Sequence, residues 1–365
     1  MKIGIDGVPL TIPFPCGTKH YAQELINSLA KIDKKNEYVI FVSERVLIPK
    51  QKNFRLIKIP SVTPILKRQL FLSAAAKKEK LDLFHYLEPY GAVFFQHPRI
   101  ITTVHDVNLS PTYPVLSRHF FNRIYCEITR RGVFKNTKVF IAVSNFTKRE
   151  LKRYLGRRNN RDIFVVNNGI SNNFRVKKVP KGNVNYFLTM GDFTPRKNIL
   201  KVLEAYSLLP LPFKNEYKLK IVANEKSVRD KFLTSTKSLG IQTYSEVFQA
   251  VSEEKLIDLY GGAAAFLYPS LYEGFGLPIL EAMSCGCPVI TSNMGATKET
   301  AGGAAYLVSP KNPGGITNAM RKIISNPRLK NTLVASGLKR AKDFSWEETA
   351  RKTLEIYQNT FSGNV

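Results

Sequence analysis

Two glutamates, Glu273 and Glu281, stand eight positions apart, separated by the turn Gly274-Phe275-Gly276 and by Leu277-Pro278. Pro278 suits the first position of a helix, where its missing N–H costs nothing. The pattern predicts a helix from about Pro278 to Cys285, stopped by Gly286. Backbone N–H groups of the turn and of the first helical residues then point outward without helical partners, as an anion site requires. Glu273 falls in the loop before that site and Glu281 in the second turn of the helix. Two carboxylates around such amides suit a ligand that is part phosphate and part sugar hydroxyls. The plainer alternative is two acids that decorate a loop and a helix face.

Two other constellations carry chemistry. Met190-Gly191-Asp192-Phe193-Thr194-Pro195-Arg196-Lys197-Asn198 places a fork donor and a point charge side by side at a helix entrance, a pairing able to neutralise a diphosphate. In a chain with 55 Lys and Arg, an ordinary basic helix start is the alternative. Thr103-Val104-His105-Asp106 ends an expected strand. Ligands of open parallel sheets bind beyond the carboxyl ends of strands, which puts His105 on a ligand-binding edge. A satisfied core histidine is the alternative there.

The elements that must position these residues alternate. Strands are expected at Lys2–Ile5, Tyr38–Val42, Leu56–Ile59, Leu83–His85, Ile100–Val104, Val139–Val143 and Ile163–Val166, with helices near His20–Ile32, Lys67–Lys80, Phe120–Phe134 and Asn145–Leu155. The second half repeats the pattern with strands near Tyr186–Met190, Lys218–Val222, Ala264–Tyr268, Pro288–Thr291 and Ala305–Val308. Apolar strands alternating with helices indicate parallel sheets covered on both faces. The polar stretch Ser171–Asn183 reads as a linker. Ser345 and Glu348 form a capping box that opens a last helix, through about Phe361, and Trp346 in it reads as a packing anchor. Ser144 is a helix N-cap before Asn145–Leu155.

The segment around Glu273 and Glu281 resembles the Glu-x7-Glu motif of retaining glycosyltransferases of family 4 (group 1, mannosyltransferase-like), and Gly191 to Asn198 resembles that family's Gly-x-x-x-x-x-Lys-Asn segment. The resemblance implies an α/β chain of the GT-B fold, two doubly wound Rossmann-like domains facing across a cleft. It places residues 1–175 in an acceptor-side domain joined by the C-terminal helix 346–362, and residues 176–345 in a nucleotide-sugar-binding domain. It implies that Glu273 contacts the donor sugar, that Arg196 and Lys197 hold the diphosphate and stabilise the departing nucleotide, and that His105 approaches the sugar. By the same resemblance Glu281 holds the ribose, while Asp106, Gly274, Phe275, Gly276 and Leu277 line the substrate site. Near the N-terminus only Gly17 of Pro15-Cys16-Gly17-Thr18-Lys19 matches the family's glycine loop, for close approach to the diphosphate, and Lys19 could add charge. Val222-Ala223-Asn224 departs from the family's Val-Gly-Gly. The implied reaction is metal-independent, retaining hexosyl transfer from a nucleoside-diphosphate sugar, GDP-mannose or a UDP-hexose, to a lipid-linked or polysaccharide acceptor. No resident cofactor and no metal are expected: there is no Asp-x-Asp, and the Arg/Lys pair can neutralise the diphosphate. An epimerase or a phosphorylase on the same fold remains the alternative enzyme class.

With 365 residues, 44% of them hydrophobic and 23% charged, the chain has the makings of two globular domains. No apolar run approaches the roughly 18–20 residues that span a bilayer, and the start Met1-Lys2-Ile3-Gly4-Ile5-Asp6-Gly7 reads as a strand and turn rather than a signal peptide. Four cysteines form neither a disulfide framework nor a metal motif. A cytoplasmic location follows as the expectation. The net charge is +27, twice as much of it in residues 1–175 as in 176–365. Basic residues there interleave with apolar ones: Lys67-Arg68-Gln69-Leu70-Phe71-Leu72 leads into Lys77 and Lys78, and Arg118-His119-Phe120-Phe121-Asn122-Arg123 into Arg130 and Arg131. Such stretches suit peripheral binding to an anionic inner membrane face. A solvated basic face and a nucleic-acid surface are the other readings, the last without any nucleic-acid fold signature.

Overall fold

The computed structural model describes residues 1–13, 16–61, 67–107, 120–156, 160–177, 185–223, 226–249 and 251–365. Pro15, Arg118, His119, residues 178–183 of the expected linker and Asn224 lie outside them. The chain divides into two compact units. The first takes the described residues of Met1–Gly169 together with Ser345–Val365; the second is Ile170–Phe344.

The first unit is built on a parallel sheet in the order β3-β2-β1-β4-β5-β6-β7. Its strands are β1 (Lys2–Asp6), β2 (Glu37–Val42), β3 (Phe54–Lys58), β4 (Leu83–Tyr86), β5 (Ile100–Val104), β6 (Val139–Ala142) and β7 (Asp162–Val165). β4, β5 and β6 are buried at every position, because helices cover both faces of the sheet. On one face Leu25, Ile26 and Leu29 of the helix Gly17–Ile32 pack with Trp346, Ala350, Ile356 and Tyr357 of the last helix, Trp346–Ser362. On the other, Leu72, Ala76, Val133, Phe134 and Leu151 cover Phe84, Ile100 and Phe140.

The last helix starts at the expected N-cap, with Ser345 Oγ accepting from Glu348 N at 3.1 Å, while the Glu348 carboxylate accepts from Arg351 rather than closing the expected capping box. Its Tyr357 hydroxyl lies 2.6 Å from Nδ1 of His85, whose Nε2 lies 2.9 Å from Thr103 Oγ1. Burial holds the pKa of His85 down at about 3, so the ring is a neutral crosslink between sheet and helix. Trp346 is buried edge-on to His20 and Tyr21. A Cβ on Gly169 would lie 2.1 Å from the backbone nitrogen of Trp346. That close crossing fixes where the chain leaves the first unit, after Gly169 rather than after residue 175. Asn173 and Lys177, inside the expected linker, instead bond Glu253 and Asp258 of the second unit.

The second unit repeats the plan in the order β10-β9-β8-β11-β12-β13, again all parallel. Here β8 is Tyr186–Met190, β9 Lys218–Ala223, β10 Ser245–Gln249, β11 Ala265–Tyr268, β12 Val289–Ser292 and β13 Tyr306–Val308. The edge strand β10 escapes the sequence pattern: Ser245-Glu246-Val247-Phe248-Gln249 has no apolar run, and none of it is fully buried.

Two parts of the expected basic surface turn inward. Lys67–Leu72 winds as a π-helix into the helix Ser73–Lys78, and Arg68 points at Asp6 and Glu88 rather than at solvent. Arg130 is buried with its guanidinium donating to Val107 O at 2.6 Å. A guanidinium with partners inside the fold leaves water readily, which charge counting cannot foresee.

Candidate active site

In each sheet the strand order reverses once, between β1 and β4 in the first and between β8 and β11 in the second. Open α/β sheets bind ligands at such points, beyond the carboxyl ends of the strands. In the second unit this is where the loop after β8 meets the loop after β11.

The loop after β8 is shaped by Asp192, whose Oδ1 accepts from Thr194 N at 2.8 Å, and by Asn198. Asn198 takes left-handed backbone angles (φ 58°, ψ 29°), and its buried amide donates to Pro269 O and Pro310 O at 2.9 and 2.7 Å. That crosslink, with Leu271 N donating to Arg196 O at 2.8 Å, holds the two loops together. Arg196 and Lys197 therefore meet Glu273. Lys197 Nζ is 2.8 Å from Glu273 Oε1, and an Arg196 terminal nitrogen is 3.2 Å from Oε2.

Sequence reasoning missed the group in the middle. The hydroxyl of Tyr268, the last residue of β11, lies 2.6 Å from Lys197 Nζ and 2.9 Å from Glu273 Oε1. A tyrosine ending an apolar strand reads as core; only its position at the strand's carboxyl end could have flagged it. Burial would push the Glu273 carboxyl up, but Lys197 and Arg196 outweigh it and hold the pKa below the usual range. Burial draws the Lys197 ammonium down, partly offset by Glu273. Desolvating an ion costs several kcal/mol, so this acid stays charged only because two cations touch it.

Downstream, Thr300 Oγ1 donates to Phe275 O at 2.6 Å and pins the Gly-Phe-Gly turn. Gly276 sits at φ +104°, a conformation that side chains disfavour, and opens the helix Leu277–Ser284. The backbone amides of Phe275 and Gly276 carry no hydrogen bond among the described residues. The side chain of Phe275 turns away, buried edge-on to Phe344, so its contribution to a ligand is its amide. Glu281, in the second turn, accepts from Tyr260 at 3.3 Å, and the same hydroxyl reaches Met190 Sδ at the end of β8. Burial, reinforced by Glu253 and opposed by the Tyr260 bond, pushes the pKa of Glu281 up to about 7.

His105, Asp106 and Gly17 belong to the first unit. His105 follows β5; its Nε2 lies 2.9 Å from Leu87 O and its ring stands edge-on to Tyr21 at 4.7 Å. Burial lowers its pKa, and the carbonyl partner makes Nε2 the protonated nitrogen. Gly17 opens the helix Gly17–Ile32, and a Cβ there would meet nothing within 4 Å. Lys19 Nζ donates to Ile12 O at 2.6 Å.

Residues 16–174 match the model of glycosyltransferase family 4 and residues 171–340 that of glycosyl transferases group 1. The chain belongs to the group 1 glycosyltransferases. It is 29% identical to O-antigen chain mannosyltransferase B of Escherichia coli over 387 residues, 98% of this chain and 100% of that relative. Sucrose-phosphate synthase from Thermosynechococcus elongatus matches over 100% of both chains with a TM-score of 0.78 at 19% identity. HepE of Anabaena, solved with UDP-glucose, matches over 98% of this chain and 99% of its own with a TM-score of 0.73 at 15% identity. These structures establish the GT-B fold for the glycosyltransferase, two doubly wound Rossmann-like domains.

Glu281 yields a pH prediction. Its folded pKa of about 7 lies above the usual 4.5, so the native state keeps a proton that the unfolded chain loses. The resulting penalty is absent well below pH 4.5, grows as pH rises through that window and is complete above about 7. In urea unfolding, Glu281→Gln is therefore expected to be more stable than wild type at pH 8, with the gap closing by pH 5. A gap of equal size at both pH values would show that Glu281 is ionised throughout.

Proposed function

We propose that the glycosyltransferase moves a hexose from a nucleoside-diphosphate sugar to a lipid-linked or polysaccharide acceptor, with retention of anomeric configuration and without metal. The observation that carries this reading is the contact of Glu273 with both Lys197 and Arg196, beside the amides of Phe275 and Gly276, which are unpaired among the described residues. Two cations and two amides converge where a diphosphate would leave, and preorganised donors of this kind stabilise charge that develops in the transition state. One buried carboxylate among them is suited to a sugar hydroxyl. Glu281 would accept from the ribose hydroxyls. The acceptor oxygen bonds the anomeric carbon on the face from which the diphosphate departs, and its proton passes to the departing phosphate. His105 is assigned to the sugar, with Nδ1 carrying no hydrogen bond among the described residues. The donor is taken as GDP-mannose or a UDP-hexose; the mannosyltransferase relative supports the former and HepE with UDP-glucose the latter.

Membrane-surface action belongs to the same proposal. Among the described residues no helix is long and apolar enough to cross a membrane. Leu70 and Phe71, exposed at 58% and 37%, precede Lys77 and Lys78, while Ile124 and Ile128 share their helix with the exposed Arg131. Apolar side chains interleaved with cations suit an anionic interface.

A thermal-shift titration with UDP, GDP, ADP, CMP and dTDP in EDTA tests the donor site. One diphosphate is expected to raise the melting temperature by mass action, and Arg196→Ala to abolish the shift. No shift with any of them, or a shift that needs Mn²⁺, contradicts the reading. Binding to vesicles is expected to require anionic lipid and to weaken with salt; flotation indifferent to both would remove the membrane from the proposal.

A further inference from the structure

The reversal point of the first sheet carries its own cluster. Asp6 is the last residue of β1, and Glu88 stands just past β4. Between them comes Arg68, from the π-helical turn, a winding frequent at functional sites. Its Nε is 3.4 Å from Asp6 Oδ2, and a terminal nitrogen pairs with Glu88. Asp6 is fully buried; Oδ1 accepts from Val8 N at 3.0 Å, whereas Oδ2 and Arg68 Nε make no hydrogen bond among the described residues. Glu88 and Arg68 keep side-chain exposures of 13% and 12%, so the pair reaches solvent from inside the fold. Leu87, the neighbour of Glu88, accepts the Nε2 proton of His105. The half-buried Tyr90 lies in the field of Asp106, Arg130, Cys126 and Glu88, so the cluster runs on to the carboxyl end of β5.

The charges decide what such a place can hold. In the second unit two cations face one acid, an excess that suits phosphate. Here, among the described residues, Arg68 is already matched by two carboxylates and has no positive charge to spare for an anion. Carboxylate acceptors, guanidinium donors and a tyrosine fit the mixed donors and acceptors of neutral sugar hydroxyls.

We propose that Glu88, oriented by an Arg68 that is anchored on buried Asp6, binds hydroxyls of a neutral saccharide at the carboxyl edge of the first sheet. This deepens the glycosyltransferase proposal, on which it rests, by giving the saccharide acceptor a recognition group. Glu88 is the binding residue and Arg68 a positioning residue.

Saturation-transfer NMR with methyl α-glycosides of mannose, glucose, galactose and N-acetylglucosamine tests it, on wild type, Glu88→Gln and Arg68→Lys. Thermal shift with the five nucleoside diphosphates is run on the same samples. Wild type is expected to bind at least one glycoside, Glu88→Gln roughly tenfold more weakly through loss of a charge-assisted hydrogen bond. Arg68→Lys, which keeps the charge and loses the fork, is expected to weaken binding with its melting temperature retained. The diphosphate shift should be the same in all three. Equal glycoside binding by Glu88→Gln, or none by wild type, overturns the inference. A diphosphate shift alongside either result leaves the donor reading standing; glycoside binding that depends on Glu88 without any diphosphate shift does the reverse.

Discussion

The proposed donor end of the glycosyltransferase depends on one buried charge balance, the Glu273 carboxylate held by Lys197 and Arg196 with the Tyr268 hydroxyl between. None of these groups would be tolerated alone where it sits. A lone buried carboxylate takes up a proton and a lone buried ammonium loses one. Together they stay ionised, two residues before a stretch in which the amides of Phe275 and Gly276 carry no hydrogen bond among the described residues. The strands, the Asn198 crosslink and the Thr300 bond to Phe275 serve to keep these few atoms in register. In the proposed reaction, preorganisation of this kind would spare the site from reordering dipoles as the diphosphate departs.

Both units obey one topological rule, and the rule explains why polar residues gather twice. Where a parallel sheet reverses its strand order, adjacent loops leave in opposite directions and open a crevice at the carboxyl edge. At β8 and β11 the crevice holds an excess of positive charge; at β1 and β4 it holds an excess of negative charge. The same architecture thus offers one setting for a phosphate and a different one for hydroxyls. The last helix adds a structural constraint, since Trp346 and Tyr357 tie a distant part of the chain into the core of the first unit.

Much of this was legible in the residues. Apolar strands, the N-cap at Ser345 and the glycine turn before Pro278 each obey local rules, and they fold as those rules require. Glu273, Arg196 and Lys197 could be grouped because each sits at the end of an expected strand or the start of a helix. Tyr268 and Tyr260 could not: a tyrosine in an apolar segment looks like core until its hydroxyl is seen to reach an acid. The edge strand β10 was invisible because pairing on one side alone demands little burial. Arg68 was misplaced for a related reason. Its neighbours Leu70 and Phe71 do face outward, and only the fold reveals that Asp6 and Glu88 draw it inward.

The central claim is that Glu273 and the incoming diphosphate share the same two cations. Calorimetric titration of the preferred nucleoside diphosphate into wild type and Glu273→Gln tests it most directly. With the acid neutralised, Lys197 and Arg196 are left without their counter-charge, so the account predicts tighter diphosphate binding together with loss of hexosyl transfer. Binding that weakens along with turnover would mean that Glu273 itself holds the nucleotide, and would contradict the account.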